Sequence, residues 1–393
     1  MIKVVDGNQA AAYGVKLSKP DIIATYPITP QTPLVEYLAT MVARKELDAE
    51  MVEVESEHSA LSALHGAALA GARTFTATSS QGLALMYEPY FRTSTLRLPV
   101  VMCIVTREMI SPQTVWSGHQ DAITVRDAGW IQIFVERNQE VLDAIIQAYR
   151  LAEDKRVMLP VNVCLDGFYL SHLIERVEIP EQKDVDEFLP PLELNHIKLD
   201  PDDPISVDPL TPGNLLTHYR KKHIEGLENA KDIIERIDAE FGQVFGRYYH
   251  GKVEPYLMQD ANIALVAMGS MTGAARIVVN EARKMGLKVG LIKLRMFRPF
   301  PKEELRELLK DVDVVGVIDK NVSFGFSSGT VFYELKSALF SYHEPLMVNF
   351  IAGLGGADIT KDYLRFIINY LEKIRQSQKV GREVVWMDID REV

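Results

Sequence analysis

The stretch Thr25-Tyr-Pro-Ile-Thr-Pro-Gln-Thr32 lies between an apolar run, Asp21-Ile-Ile-Ala24, and Leu34-Val-Glu-Tyr-Leu38, which has helical spacing. Its two prolines cannot donate to a strand ladder, so the stretch predicts a strand-to-helix corner. Open α/β sheets bind ligands at the carboxyl ends of their strands, which makes its three threonine hydroxyls candidates to face a pocket. The structural alternative is that Pro30 starts a helix and Thr29 caps it.

The composition is that of a globular protein with room for two or three domains: 393 residues, 47% hydrophobic and 25% charged. With 43 Lys and Arg against 54 Asp and Glu, the net charge of −11 argues against nucleic acid as the main partner. Cys103 and Cys164 lie in apolar runs, which predicts buried thiols, and two cysteines are too few for an iron–sulfur cluster. No stretch has the ~20 apolar residues of a membrane span, and no signal-like segment opens the chain, so the expected location is the cytoplasm.

Strand-like and helix-like segments alternate along the chain, which is typical of α/β architecture. Residues 1–172 are predicted to form a doubly wound parallel-sheet domain. Prolines and acidic residues are dense from 179 to 212, so residues 173–258 are predicted to be an extended linker with a helical segment. A second alternation predicts another α/β domain over residues 259–393, with a C-terminal tail.

Two strand-to-helix junctions carry candidate functional groups. Glu57 is either a carboxylate favoured by a helix dipole or a carboxyl in an apolar setting, with a raised pKa, that shares a proton with a ligand nitrogen. Ser79-Ser-Gln-Gly82 either contacts a heterocycle or phosphate or forms a plain helix cap. His58 and His65 have no carboxylate or cysteine at metal spacing, so we expect no metal site there.

Arg107 ends an apolar strand and opens an irregular stretch that runs to Asp127. A buried cation is costly unless it meets an anion, and two kinds of anion remain open: a substrate carboxylate, or a structural aspartate at Asp121 or Asp127. The glycine-rich Gly353-Leu-Gly-Gly356 matches neither common nucleotide-binding pattern, and close backbone approach explains it.

The order of several segments resembles the α subunit of the pyruvate:ferredoxin oxidoreductases, 2-oxoacid:acceptor oxidoreductases that use thiamine diphosphate. The segments are Thr25–Pro30, Glu55–Ala60, Gly71–Met86, Arg126–Trp130, Asn138–Val141, Arg298–Pro301 and Phe350–Gly356. The likeness covers nearly the whole chain and is least distinctive over 180–258. It implies that residues 1–172 are a pyrimidine-binding domain and that the last domain resembles the transketolase C-terminal domain.

The resemblance also implies roles for particular residues. Glu57 matches the family glutamate that hydrogen-bonds N1′ of the aminopyrimidine, and Thr29 and Arg107 match the residues that hold the carboxylate of the 2-oxoacid. The residues expected to contact the cofactor beside Glu57 are Tyr26, Pro27, Ser80, Gln81 and Gly82.

The diphosphate motif of thiamine enzymes, Gly-Asp-Gly followed by Asn, is missing from this sequence. The resemblance therefore implies a β subunit that carries the diphosphate and Mg²⁺ site, and ferredoxin-like γ and δ subunits that carry 4Fe–4S clusters. The implied activity, in that complex only, is oxidative decarboxylation of pyruvate with CoA as co-substrate and ferredoxin as acceptor.

The substrate and the reaction class leave alternatives. Because Thr29 is neutral, Arg107 is the obvious cation, which suits a monocarboxylate. The apolar residues of the stretch 108–120 also suit a branched-chain or aromatic 2-oxoacid such as 2-oxoisovalerate or phenylglyoxylate. A non-redox thiamine-dependent decarboxylase component and a non-catalytic scaffold subunit are the other two interpretations.

Overall fold

The computed structural model describes residues 1–194 and 196–390. In its amino-terminal part, strands and helices alternate as the sequence predicts. In chain order the elements are β1 (Ile2–Val5), α1 (Gly7–Ser18), β2 (Ile22–Thr25), α2 (Thr32–Ala43), β3 (Glu50–Glu53), α3 (Glu57–Leu69), β4 (Thr74–Thr78), α4 (Ser80–Leu85), α5 (Tyr87–Thr95), β5 (Val101–Thr106), α6 (Gln120–Thr124), β6 (Ile131–Phe134), α7 (Asn138–Ala152), β7 (Val161–Asp166), β8 (Glu175–Glu178), α8 (Gln182–Phe188) and α9 (Gly213–Phe245).

The carboxyl-terminal part repeats the alternation. Its elements are β9 (Val253–Tyr256), β10 (Ile263–Ala267), α10 (Met271–Lys284), β11 (Val289–Leu294), β12 (Met296–Arg298), α11 (Lys302–Leu309), β13 (Val314–Asp319), α12 (Thr330–Leu339), β14 (Leu346–Ile351), a 3-10 turn at Leu354–Gly356, α13 (Lys361–Ser377) and β15 (Val384–Trp386).

Two mainly parallel sheets form the two parts. Within the described residues, the first sheet has the strand order β12-β6-β7-β5-β4-β2-β3, and the second has the order β15-β14-β13-β10-β11-β9. Every residue of β4, β5 and β7 is buried, as expected for strands covered by helices on both faces. The predicted fold class, a doubly wound parallel sheet followed by a second α/β domain, is confirmed. β12 and β9 are the antiparallel exceptions at the sheet edges.

Several local features differ from the sequence interpretation. The connector is not extended throughout, because it contains α8. The segment after the Ser79–Gly82 junction forms two helices, α4 and α5, that meet at Met86. Strand β8 pairs with β1, and β12 joins the first sheet although it belongs to the carboxyl-terminal part. Both pairings cross the predicted domain limits, so those limits stay a prediction.

The two cysteines are free and buried, as predicted. In the described part of the chain, no helix combines the length and apolar character needed to cross a membrane.

A buried ion cluster joins the two parts. Glu140 of α7 accepts hydrogen bonds from Lys293 Nζ at 2.7 Å and Arg295 Nε at 2.8 Å, and all three side chains are almost completely buried. Burial opposes ionisation of Glu140, but the two cations outweigh it and lower its pKa. The cluster joins β11 of the second sheet to α7, a helix that packs on the first sheet.

Glu140→Gln is expected to lower the free energy of unfolding by about 3 kcal/mol, because it removes the buried carboxylate that Arg295 and Lys293 share and leaves Lys293 beside Glu136 Oε2 at 3.1 Å. The measurement is urea unfolding of the wild type and the variant. The control is Glu187→Gln, an exposed i,i+4 partner of Lys183, which should cost less than about 0.5 kcal/mol. Similar losses in the two variants would contradict this account of the cluster.

Candidate active site

The candidate residues meet at the carboxyl ends of neighbouring strands of the first sheet. β2 ends at Thr25, β4 at Thr78 and β5 at Thr106, and these strands lie side by side. The predicted strand-to-helix corner after Thr25 is confirmed, since β2 is followed by α2. Helix α2 begins only at Thr32, with Gln31 at its N-cap position, so the interpretation of Thr29 as the helix cap is wrong.

Arg107 connects the strand end to that corner. Its Nη1 donates to the main-chain oxygen of Thr29 and its Nε to that of Thr114, both at 2.9 Å. The side chain is 3% exposed, and burial lowers its pKa while the charge of Asp121 opposes that shift. The structure therefore brings Arg107 and Thr29 together.

The aspartates considered as partners of Arg107 do not pair with its guanidinium. Asp121 Oδ2 accepts from the main-chain N–H of Arg107 at 3.0 Å, and Asp127 lies 3.6 Å from both Arg126 and Arg298. Within residues 1–194 and 196–390, no carboxylate forms an ion pair with Arg107. The guanidinium thus keeps donors for another anion.

Glu57 is the first residue of α3 and is 6% exposed. The helix is capped by Ser56, whose Oγ accepts from the Ser59 N–H at 3.2 Å, so Glu57 is not needed as the cap. Burial raises the pKa of Glu57, and in the described part of the chain no other side chain forms a hydrogen bond or ion pair with its carboxyl. The carboxyl is free to share a proton with a ligand.

Gly82 lies directly against this carboxyl. A Cβ at Gly82 would be 2.5 Å from Glu57 Oε1 and from Thr78 Oγ1, so only glycine leaves room there. Thr78 Oγ1, Thr25 Oγ1 and Gln81 Oε1 are buried polar atoms without a partner in the described structure. A close-approach glycine, a carboxyl with a raised pKa and several unsatisfied polar atoms fit a flat heterocycle with polar edges.

The other residues expected at the cofactor differ in exposure. Ser80 is buried, with its Oγ donating to the Glu108 main-chain oxygen at 2.6 Å, and Gln81 is half-buried. Tyr26 and Pro27 lie on the solvent-exposed side of the first corner. The structure therefore places Gly82 against Glu57, with Ser80 and Gln81 directly before it in the chain, and leaves the first corner open.

The irregular loop after Arg107 rests on the second part of the chain, which sequence reasoning missed. Glu108 Oε1 accepts from the Gly355 N–H at 3.3 Å, and burial raises the pKa of Glu108 to about 7. The Gly356 N–H donates to the Ser117 oxygen at 2.7 Å, and a Cβ on Gly356 would lie 2.6 Å from Trp116 Cβ. The close-approach interpretation of the glycine-rich segment is thus confirmed.

A cavity of about 710 Å³ lies elsewhere, between α9, α12 and the segment that precedes β6. Its lining includes Trp130, His223 and Tyr333 and none of the predicted site residues. The cavity adjoins the amino end of β6, whereas Glu57 and Arg107 lie at the carboxyl ends of the strands. It is therefore at the opposite end of the first sheet.

Two family models match the chain. The pyruvate flavodoxin/ferredoxin oxidoreductase thiamine diphosphate-binding model matches residues 13–239, and the pyruvate:ferredoxin oxidoreductase core domain II model matches residues 261–364.

Curated relatives align over almost the full length. The pyruvate synthase subunit PorA of Methanocaldococcus jannaschii is 51% identical over 95% of both chains. The α subunit of the NADH-dependent phenylglyoxylate dehydrogenase of Aromatoleum evansii is 48% identical over 98% of this chain and 94% of the relative. The ketoisovalerate oxidoreductase subunit VorA of Pyrococcus abyssi is 43% identical over 99% and 98%.

Solved structures share the fold. A 2-oxoglutarate:ferredoxin oxidoreductase from Magnetococcus marinus superposes with a TM-score of 0.73 at 20% identity, over 95% of this chain and 65% of that one. A split-gene transketolase superposes with a TM-score of 0.55 at 13% identity, over 95% of this chain and 100% of that one. With the family models and the full-length relatives, these similarities show that the chain belongs to the pyruvate flavodoxin/ferredoxin oxidoreductase family, as an α subunit that contains the thiamine diphosphate-binding domain.

Proposed function

We propose that this α subunit supplies the pyrimidine and substrate-carboxylate half of an active site that decarboxylates pyruvate oxidatively to acetyl-CoA and CO₂. Electrons pass to ferredoxin through iron–sulfur clusters of partner subunits. The observation that carries the proposal is that the buried carboxyl of Glu57 and the guanidinium of Arg107 both follow the carboxyl ends of strands in one sheet. In this proposal Glu57 holds and releases a proton, and Arg107 binds the carboxylate of the substrate.

Glu57 and its neighbours are proposed to hold the aminopyrimidine ring. Since burial raises its pKa, the Glu57 carboxyl can hold a proton against a ring nitrogen. Gly82 lets the backbone approach that carboxyl, and Thr78 offers an unsatisfied hydroxyl beside it. Thr25 and Gln81 offer two more unsatisfied polar atoms at the same ends of the strands. When bound, thiamine diphosphate supplies the carbon nucleophile and the electron sink.

Arg107 is proposed to orient the substrate. A guanidinium offers five N–H donors, and the main-chain oxygens of Thr29 and Thr114 accept from only part of the fork. The remaining donors suit one carboxylate, and the Thr29 hydroxyl is the proposed second contact. These two contacts would hold the carboxylate end of the 2-oxoacid.

The relatives do not decide between substrates, because the one named for pyruvate is 51% identical to this chain and the one named for phenylglyoxylate is 48% identical. Pyruvate is our first candidate, since one cation suits a small monocarboxylate. An aromatic or branched-chain 2-oxoacid is the second, favoured by the exposed side chains of Ile110 and Trp116 on the loop after Arg107.

The rest of the site is proposed to come from other chains. A β subunit would bind the diphosphate and Mg²⁺, since the sequence has no Gly-Asp-Gly, and the exposed corner at Tyr26 and Thr29 leaves room for it. Ferredoxin-like γ and δ subunits would carry 4Fe–4S clusters, CoA would be the acyl acceptor, and the complex would work in the cytoplasm.

The assembled complex is expected to reduce viologen dye only when a 2-oxoacid and CoA are both present, and to have its highest kcat/KM with pyruvate. The comparison includes 2-oxoisovalerate, phenylglyoxylate and 2-oxoglutarate. Decarboxylation without dye reduction would instead identify a non-redox decarboxylase component. A preference for phenylglyoxylate would replace pyruvate by the second candidate.

Glu57→Gln in the assembled complex is expected to lower kcat/KM by about 10²-fold or more, since an amide cannot exchange the proton that the carboxyl shares. Glu53→Gln is the control, because it makes the same chemical change on an exposed residue of β3 and should leave turnover within about twofold. Unaltered turnover in Glu57→Gln would favour the scaffold interpretation.

Gly82→Ala is expected to weaken thiamine diphosphate binding and to destabilise the fold by about 1–3 kcal/mol, because the new methyl group overlaps Glu57 and Thr78. The matched control is Gly66→Ala, also within a helix but with no atom within 4 Å of the added Cβ. It should stabilise the chain by about 0.5–1 kcal/mol. Thermal unfolding and cofactor titration check both, and equal effects would refute the proposed close approach.

A further inference from the structure

We propose that Asp121 is a positioning residue of this half-site, whose carboxylate fixes the distance between the Ser80 corner and the Arg107 strand end. The inference rests on the proposed function, because it concerns how the cofactor-facing and substrate-facing groups are held relative to each other. In this proposal Asp121 touches neither the cofactor nor the substrate, and it acts through the main-chain N–H groups of Ser80 and Arg107.

One carboxylate oxygen bridges the two segments. Asp121 Oδ2 accepts from the main-chain N–H of Ser80 at 2.9 Å and from that of Arg107 at 3.0 Å. The side chain is 1% exposed, so water does not compete for these bonds. Burial raises the pKa of Asp121 to about 7, and a carboxyl oxygen accepts hydrogen bonds in either protonation state, so the bridge rests on the position of Oδ2 between the two N–H groups.

Side-chain bonds reinforce the same junction. Ser79 Oγ donates to the Val105 oxygen at 2.7 Å, and Ser80 Oγ donates to the Glu108 oxygen at 2.6 Å. Ser80 also has a positive φ of 48°, a conformation that non-glycine residues adopt only when surrounding contacts hold it. The bond from its N–H to Asp121 is one of those contacts.

A plain capping role does not explain Asp121. The N-cap residue of α6 is His119, and Asp121 is already the second helical residue. Only its other oxygen serves the helix, accepting from the Ala122 N–H at 2.7 Å. The oxygen that reaches Ser80 and Arg107 leaves the helix and points to the two strand ends.

The bridge connects both proposed functions of the site. Ser80 leads into Gly82, which adjoins Glu57, whereas Arg107 holds Thr29. The negative charge of Asp121 also favours the charged form of the buried Arg107. Without the Asp121 bridge, Arg107 can therefore move relative to Ser80 and Gly82.

The test compares Asp121→Asn and Asp121→Ala with wild type in the assembled complex. Both variants should raise KM for the 2-oxoacid by about tenfold or more and change kcat by less than about threefold. Hydrogen exchange of peptides that cover Ser80 and Arg107 should become faster. Asp127→Asn, on an exposed side chain of the same segment, is the control and should change neither.

Unchanged KM and unchanged exchange in a folded, assembled Asp121→Asn complex would overturn the inference, as would a loss of kcat with KM unchanged. If both Asp121 variants fail to assemble, Ser79→Ala, which removes one neighbouring bond across the same junction, must raise KM in the same direction, or the inference fails. Arg107→Lys separates the two proposals: if it leaves KM and kcat unaltered, the proposed function is wrong. If it impairs catalysis while Asp121→Asn does not, only the positioning role is wrong.

Discussion

The arrangement of the site depends on a buried carboxylate between the two sheets. Asp166 ends β7 of the first sheet, and its Oδ1 accepts from Lys320 Nζ at 2.9 Å and His119 Nε2 at 2.8 Å. Its Oδ2 accepts from the Ser270 N–H at 2.7 Å and the Ser270 Oγ at 2.5 Å. Burial opposes ionisation of Asp166, but the charge of Lys320 and these hydrogen bonds bring its pKa well below the usual range. A buried ion pair is favourable only with full hydrogen-bond satisfaction, so this junction allows little freedom between the carboxyl ends of the sheets.

The Asp166 junction also restrains Arg107, the proposed substrate-binding cation, through the loop that follows β5. The His119 N–H donates to the Lys320 oxygen at 2.9 Å, and Ser117 bonds the glycine-rich segment, so the loop is held from the second part of the chain. The same loop supplies the Thr114 oxygen that accepts from Arg107. Burial raises the pKa of Glu57 and lowers the pKa of Arg107, but the two groups differ in the charge they carry as a result. A carboxyl with a raised pKa holds a proton more readily, whereas a guanidinium stays charged because it is a very strong base. Burial of both groups therefore suits the proposed roles, a proton carrier at Glu57 and a fixed cation at Arg107.

Sequence reasoning recovered the features that depend on local pattern. The buried strands and their helices follow from continuous apolar runs and helical periodicity. β12 was missed because it has three residues and pairs with β6, which is far away along the chain. At the site, the residue types of Glu57, Arg107 and Asp121 were recognised, but their atomic partners were not. Asp121 was considered as an ion-pair partner of Arg107, yet it binds the main-chain N–H, and no spacing in the sequence separates these two possibilities.

The same geometry indicates where substrate choice can vary within such a site. Arg107 is held by main-chain oxygens of Thr29 and Thr114, and main-chain acceptors do not depend on the side chains at those positions. The position of Arg107, the proposed carboxylate-binding residue, therefore does not depend on which side chains the loop carries at these two positions. Ile110 and Trp116, in contrast, expose about half of their surface on that loop. A change there alters the volume offered to the group beyond the keto carbon without moving the cation. Relatives named for pyruvate, ketoisovalerate and phenylglyoxylate are each more than 40% identical to this chain. A cation held by main-chain acceptors beside exposed apolar side chains would let the size of the bound acid change without moving the proposed carboxylate site.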